Sequence, residues 1–241
     1  MYIVEGGKTE AILLSRIFCD ILDYQMETIL RDKGYHKYNS KENFTSQVFV
    51  INAEESNIKY IDKDNKFLDR VFVELIENYD FDVDNAAIYY LFDRDNQSNS
   101  DLELIKNLLS TLVNARDNNG FERQGMLLLS YPSIEAFTLS NFAENSFERK
   151  YKIGAKLKQD LHDNNYNQSH ISESTLLKAA EELLRTLDKI DVGELNLDQF
   201  GESNKRIFDF EEMEFSKESL YRALSLLCIS LIDLGLLELE E

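Results

Sequence analysis

Tyr2-Ile3-Val4-Glu5-Gly6-Gly7-Lys8-Thr9-Glu10 decides how the rest of the chain is read. Tyr2 to Val4 is a short apolar run of the kind that forms a buried strand, and it stops at a carboxylate. Two glycines then turn the chain toward a helix whose first turn carries a second carboxylate, Glu10. A parallel sheet gathers its active groups at the carboxyl ends of its strands, so a Glu there, followed by a glycine turn, marks a candidate site. Two later stretches also bring acids to the end of an apolar run: Leu91-Phe92-Asp93-Arg94-Asp95 and Pro132-Ser133-Ile134-Glu135.

Apolar residues at helical spacing, from Ile12 and Leu13 through Ile17, Ile21 and Leu22 to Ile29 and Leu30, predict a helix over 10–30 that stops at Gly34. The Lys- and Asn-rich stretch 35–45 predicts a loop. Further buried strands are expected at 47–52, 86–92 and 125–129, because each is short, apolar and continuous. Amphipathic helices are expected at 67–78 and 101–114. Strands alternating with helices predict βαβ units with right-handed crossovers, hence an α/β fold with a four-stranded parallel sheet flanked by helices. From Ile134 onward the pattern is helical only, with helices at 134–142, 175–187 and 218–236 and a polar surface connection over 160–174. The expected division is a catalytic domain over 1–145 and a helical C-terminal extension over 146–241.

The 241 residues are 43% hydrophobic, enough for a substantial core. Net charge is -19, from 45 acidic and 26 basic residues, and a field of that sign repels phosphate backbones. Nucleic-acid binding by such a chain requires local basic patches, a divalent metal or a partner. Cys19 and Cys228 lack metal-ligand spacing and read as small buried hydrophobes in a reducing compartment. Glu5 and Glu10 occupy the place where a signal peptide would carry its apolar core, so a cytoplasmic location is expected. Arg222 and Asp233 interrupt the most apolar segment, 220–237, whereas a spanning helix needs roughly 20 nearly uncharged residues, so no membrane association is expected. His36, His162 and His170 show no ligand spacing and are read as loop residues.

Carboxylates gathered at strand ends raise one another's pKa unless a positive charge lies between them. Mg²⁺ is the natural neutraliser, since it takes oxygen ligands and keeps waters and substrate phosphate in its remaining positions. In an extended segment Asp93 and Asp95 point to one side, with Arg94 turned away. Two metals about 4 Å apart activate a water and stabilise the leaving oxygen of a phosphodiester. Plainer roles stay open at this level. Asp93 or Asp95 could cap the following helix, and Ser133 could be an N-cap. Glu10 could be a first-turn acid favoured by the helix dipole. The Glu5-Gly6-Gly7 turn could cradle an anion, with Lys8 on a phosphate.

Glu5-Gly6 after the first strand and Asp93-x-Asp95 after the third resemble the signature of the Toprim domain, the metal-dependent fold of topoisomerases, primases and certain nucleases. Within that group the three blocks 4–10, 92–95 and 132–137 look like those of the RloB-like and OLD-like (overcoming lysogenization defect) nucleases of phage defence. The resemblance covers about 2–142. It implies Glu5, Asp93 and Asp95 as the principal metal-binding set for Mg²⁺, with Mn²⁺ as a substitute. Glu10 and Glu135 would support a second ion, and Ser133 would orient metal or water. OLD-like enzymes also use a downstream lysine, for which Lys152, Lys156 and Lys158 are the candidates. Tyr131 and Phe137 depart from the RloB-like pattern, which has Asn before the Pro and Trp after the Glu.

The resemblance therefore implies a Mg²⁺-dependent nuclease cutting DNA or RNA, with tRNA among the candidate substrates, as the effector of an anti-phage system. No Gly-x-x-x-x-Gly-Lys-Ser/Thr motif is present, and the first block begins almost at Met1, so any ATPase is expected in trans. The acidic surface would then sit in a basic groove on that partner. The alternative is a non-catalytic Toprim-fold assembly or sensor subunit. In that reading Leu224, Leu227, Leu231 and Leu234 face a partner or a second copy of the chain, although a core helix accounts for them as well.

Overall fold

Strands whose residues are apolar on both faces must be covered on both faces, and here the covered strands form the middle of the sheet. The computed structural model describes residues 1–6, 8–30, 34–43, 45–53, 56–118, 120, 123–193 and 195–239; Gly7 of the first block lies outside them. The chain opens with β1 (Tyr2–Val4) and α1 (Thr9–Ser15), which continues as a π-helical turn over Arg16–Ile21. An antiparallel hairpin, β2 (Tyr24–Leu30) and β3 (Tyr35–Ser40), leads into β4 (Gln47–Asn52). Then come α2 (Phe67–Tyr79), β5 (Tyr89–Asp93), α3 (Leu102–Thr111), β6 (Val113–Asn114) and β7 (Gly125–Tyr131). Beyond them lie α4 (Glu135–Phe142), β8 (Lys150–Tyr151), α5 (Gly154–Asp163), α6 (Glu173–Lys189) and α7 (Phe200–Glu218). The described chain closes with β9 (Tyr221–Arg222), β10 (Leu224–Ser225) and α8 (Leu227–Asp233).

The sheet has eight strands in the order β10-β7-β5-β1-β4-β3-β2, with β6 also against β7. Its centre is parallel: β1 pairs with β4 on one side and with β5 on the other, and β5 pairs with β7. β1, β4, β5 and β7 fall on the runs expected as strands, but antiparallel β2, β3, β6 and β10 make the sheet eight-stranded and mixed, not four-stranded and parallel. Because β4 and β5 flank β1, the successive crossovers leave in opposite directions. The crevice at the carboxyl ends of β1 and β5 is thus a topological switch point, where open α/β sheets bind ligands.

Three expectations fail for identifiable reasons. The helix over 10–30 ends early: Asp23 adopts a positive φ of 54°, and the following residues enter β2. The stretch 35–45, expected as a loop, supplies β3, whose Tyr35, Tyr38 and Ser40 are buried while His36 and Lys37 are only partly so. Pairing with β4 satisfies this polar backbone, which local composition does not reveal. His36 is therefore a strand residue.

The helix over 218–236 is likewise divided. Ser219, with φ 55°, closes α7, and the chain then extends so that β9 meets β8 and β10 meets β7 before α8 begins. Leu227, Cys228, Ile229, Ser230 and Leu231 on α8 are all buried, and the Tyr2 hydroxyl donates to Ser230 Oγ at 3.0 Å. Leu224 is buried too, so the face considered for a partner is mainly core within this chain. Among the described residues no helix is long and apolar enough to cross a membrane.

Candidate acidic site

Glu5 leaves the end of β1 into the crevice, where its main-chain N–H donates to the Leu91 carbonyl of β5 at 3.1 Å. Its side chain is buried, and Oε2 accepts the Asp93 N–H at 2.7 Å. Asn99, 2% exposed, completes the cradle: Nδ2 donates to Glu5 Oε2 at 3.1 Å, to Glu5 Oε1 at 3.3 Å and to the Asp93 carbonyl at 2.7 Å. Asp93 closes β5, and its Oδ1 accepts the Ile134 N–H at 2.7 Å, which joins the third block to the second.

Glu10 is buried in the first turn of α1 and folds back over Gly6. A Cβ at Gly6 would stand 2.8 Å from the Glu10 carboxyl carbon, so a side chain there would displace the Glu10 carboxylate from this position. Ser133 does not cap α4. Its hydroxyl donates to Glu135 Oε2 at 2.7 Å, while Lys158 on α5 reaches Glu135 Oε1 at 3.1 Å. Gly154, at the start of α5, makes this approach possible, because a Cβ there would lie 2.7 Å from Ser133 Oγ. Of the three lysines considered, Lys158 is thus the one that ion-pairs with an acid of the third block.

Asp95 is only partly buried, and its Oδ1 accepts the Gln97 N–H at 2.9 Å, a local turn rather than a helix cap; Asp101 caps α3. Lys8 is exposed and lines a groove of about 620 Å³ together with Ile12, Arg16, Tyr38 and Gln168. That groove, and not the acidic crevice, is where the fold places Lys8, which among the described residues has no hydrogen bond or ion pair to the carboxylates.

Burial dominates the electrostatics. Desolvation raises the Glu5 carboxyl from 4.5 to about 7; bonds from Asp93 and Asn99 oppose the rise, and the charges of Glu10 and Asp95 add to it. Asp93 is pushed well above its ordinary value by desolvation and then by the charges of Glu5, Glu10 and Glu135. Glu10 is raised by desolvation and by Glu135. For Lys158, desolvation pulls the ammonium down, but Glu135, Asp93 and Glu10 outweigh it and the net shift is upward.

This donor set fits a hard divalent cation in its chemistry: oxygen ligands only, substantially desolvated, with Lys158 as the neighbouring cation. It is not a finished coordination shell. Among the described residues no group of three or more His, Cys, Asp or Glu side chains is disposed to hold a metal ion, so binding requires the carboxylates to draw together.

Sequence reasoning missed Asn99 and Arg94. Nothing local separates Asn99 from Asn96 in the same polar loop. Arg94 was expected only to turn away; it is completely buried and ion-paired to Glu212 of α7 at 2.7 Å. Compared with family models, characterised proteins and solved structures, the chain matches none.

Proposed function

We propose that the chain is a Toprim-like, Mg²⁺-dependent nuclease that hydrolyses phosphodiester bonds of DNA or RNA. The supporting observation is the bond from the Asp93 N–H to the Glu5 carboxylate across the switch point, with Glu10, Asp95 and Glu135 close enough to shift the same titrations. Glu5, Asp93 and Asp95 are the principal ligands in this reading, and Glu10 and Glu135 serve a second ion. Bound metal supplies an activated water and stabilisation of the leaving oxygen. Ser133 fixes the orientation of Glu135, and Lys158 offers a positive charge to the phosphate beside it. Lys8 is assigned an outer contact with the nucleic-acid backbone.

The wider role goes with this reading: an effector of anti-phage defence, held in check by an ATPase acting in trans. The test is cleavage of plasmid DNA and tRNA by purified protein with Mg²⁺ or Mn²⁺, compared with Glu5→Gln and Asp93→Asn. Metal-dependent cleavage lost in both variants supports the site, and cleavage that survives in both rejects it. The second reading, a non-catalytic assembly subunit, draws on the lack of a ready ligand cluster among the described residues and on Val73 and Ile76 of α2, 52% and 45% exposed. Failure of the wild type to bind Mn²⁺ or to cut either substrate would favour it.

A further inference from the structure

Resting on the reading of the acidic crevice as a divalent-cation site, we propose that α7 positions that site through a hydrogen-bonded chain running Glu212, Arg94, Asn99, Glu5. Each link is direct. Arg94 Nε donates to Glu212 Oε1 at 2.7 Å, and Arg94 Nη1 donates to the Asn99 carbonyl at 2.8 Å. The Asn99 amide then holds both Glu5 oxygens and the Asp93 carbonyl. The far end is braced as well: Tyr221 donates its hydroxyl to Glu212 Oε1 at 3.1 Å, and the Arg94 guanidinium packs 5.8 Å from the Phe208 ring centroid and 5.5 Å from that of Tyr221.

Stability alone explains this arrangement poorly. Arg94 is fully buried and its Nη2 has no hydrogen-bond partner among the described residues, while a buried ion pair is often no more stabilising than apolar residues of the same volume. What the guanidinium adds is direction. It pins the Asn99 carbonyl, and so the loop between Asp93 and Asp101, at a set distance from α7. Asn99 Oδ1 accepts the Ile58 N–H at 3.3 Å, which fixes which side of the amide faces Glu5. Arg94, Asn99 and Glu212 are positioning residues: they set where the Glu5 and Asp93 oxygens lie without contacting substrate. The C-terminal part of the chain thereby acquires a route to the site that does not pass through the sheet.

The experiment measures Mn²⁺ affinity of the full chain by electron paramagnetic resonance, alongside thermal unfolding. Asn99→Leu is expected to weaken Mn²⁺ binding by about 10- to 100-fold, as loss of an outer-shell partner does. Glu212→Ala is expected to weaken it by about 10-fold, and Glu212→Gln, which keeps the accepting oxygen, to recover most of that loss. Because the residues act in series, the double variant Asn99→Leu/Glu212→Ala binds no more weakly than Asn99→Leu alone. Wild type that binds Mn²⁺ while every folded variant binds equally well, or a double variant whose losses add, overturns the relay alone. Wild type that binds no Mn²⁺ overturns the metal site and the relay with it. Should Asn99→Leu not fold, the Glu212 pair decides, with Glu212→Gln keeping an acceptor for the buried Arg94 that Glu212→Ala leaves without its carboxylate.

Discussion

Replacing Glu5 with Gln should make the protein more stable at alkaline pH, a result opposite to that of most substitutions at a buried, hydrogen-bonded residue. The Glu5 carboxyl titrates near 7 in the folded chain against 4.5 for a free side chain. The native state therefore holds this proton more tightly, and its contribution to stability is complete below about 4.5 and lost as pH rises through about 7. Each pKa unit corresponds to about 1.4 kcal/mol, so the full loss is on the order of 3 kcal/mol, of which about 2 falls between pH 5.5 and 8.5. Gln carries no charge and removes this penalty. It also puts an amino group where one carboxylate oxygen accepts from Asn99, which costs about 1 kcal/mol at any pH. The variant should be about as stable as wild type near pH 5.5 and more stable by about 2 kcal/mol near pH 8.5. For a chain of this length that difference corresponds to a Tm increase of roughly 4–8 °C. Thermal melts followed by circular dichroism in a chelator across this range make the comparison. Adding Mn²⁺ should then stabilise wild type and not the variant, reversing their order. A wild-type-minus-variant difference that does not change with pH would refute the claim that Glu5 is held in a desolvated, charge-crowded position.

Three other substitutions probe the surrounding parts. Lys158→Ala removes a side chain that is 58% exposed but strips the buried Glu135 of its cation, so stability should fall by about 1–3 kcal/mol, while metal-dependent cleavage should fall at least 100-fold; intact cleavage would remove Lys158 from the proposed machinery. Gly154→Ala sets a methyl 2.7 Å from Ser133 Oγ and 2.9 Å from its Cβ, and should cost about 1–3 kcal/mol in denaturant melts and reduce cleavage by displacing Glu135. An unchanged melt would show that α5 does not pack as tightly as described. Leu227→Ala, at a buried α8 position, should destabilise by about 2–5 kcal/mol with a Tm independent of protein concentration. A concentration-dependent Tm would instead place that face between two copies of the chain.

The sequence by itself determined the parallel centre of the sheet and the acids at its edge. Runs such as Gln47–Asn52 and Gly125–Tyr131 are apolar enough to require cover on both faces, and the alternation of such runs with amphipathic helices leaves a parallel βαβ arrangement as the natural outcome. Glu5, Asp93 and Glu135 were legible as site candidates for the same local reason, since each follows an apolar run directly or within a few residues. Only the tertiary structure decided the remainder. β2 reads as the end of a helix from its apolar spacing and β3 as a loop from its polarity; β3 exists because β4 offers an edge whose hydrogen bonds it completes, and β2 because β3 then offers the next. β9 and β10 have two residues each, too few for any periodicity, and owe their conformation to β8 and β7. Asn99, Arg94 and Lys158 carry no local mark that separates them from other polar residues nearby. Their partners lie 94, 118 and 23 positions away along the chain, and an interaction between residues that distant is set by packing, not by the pattern on either side of them.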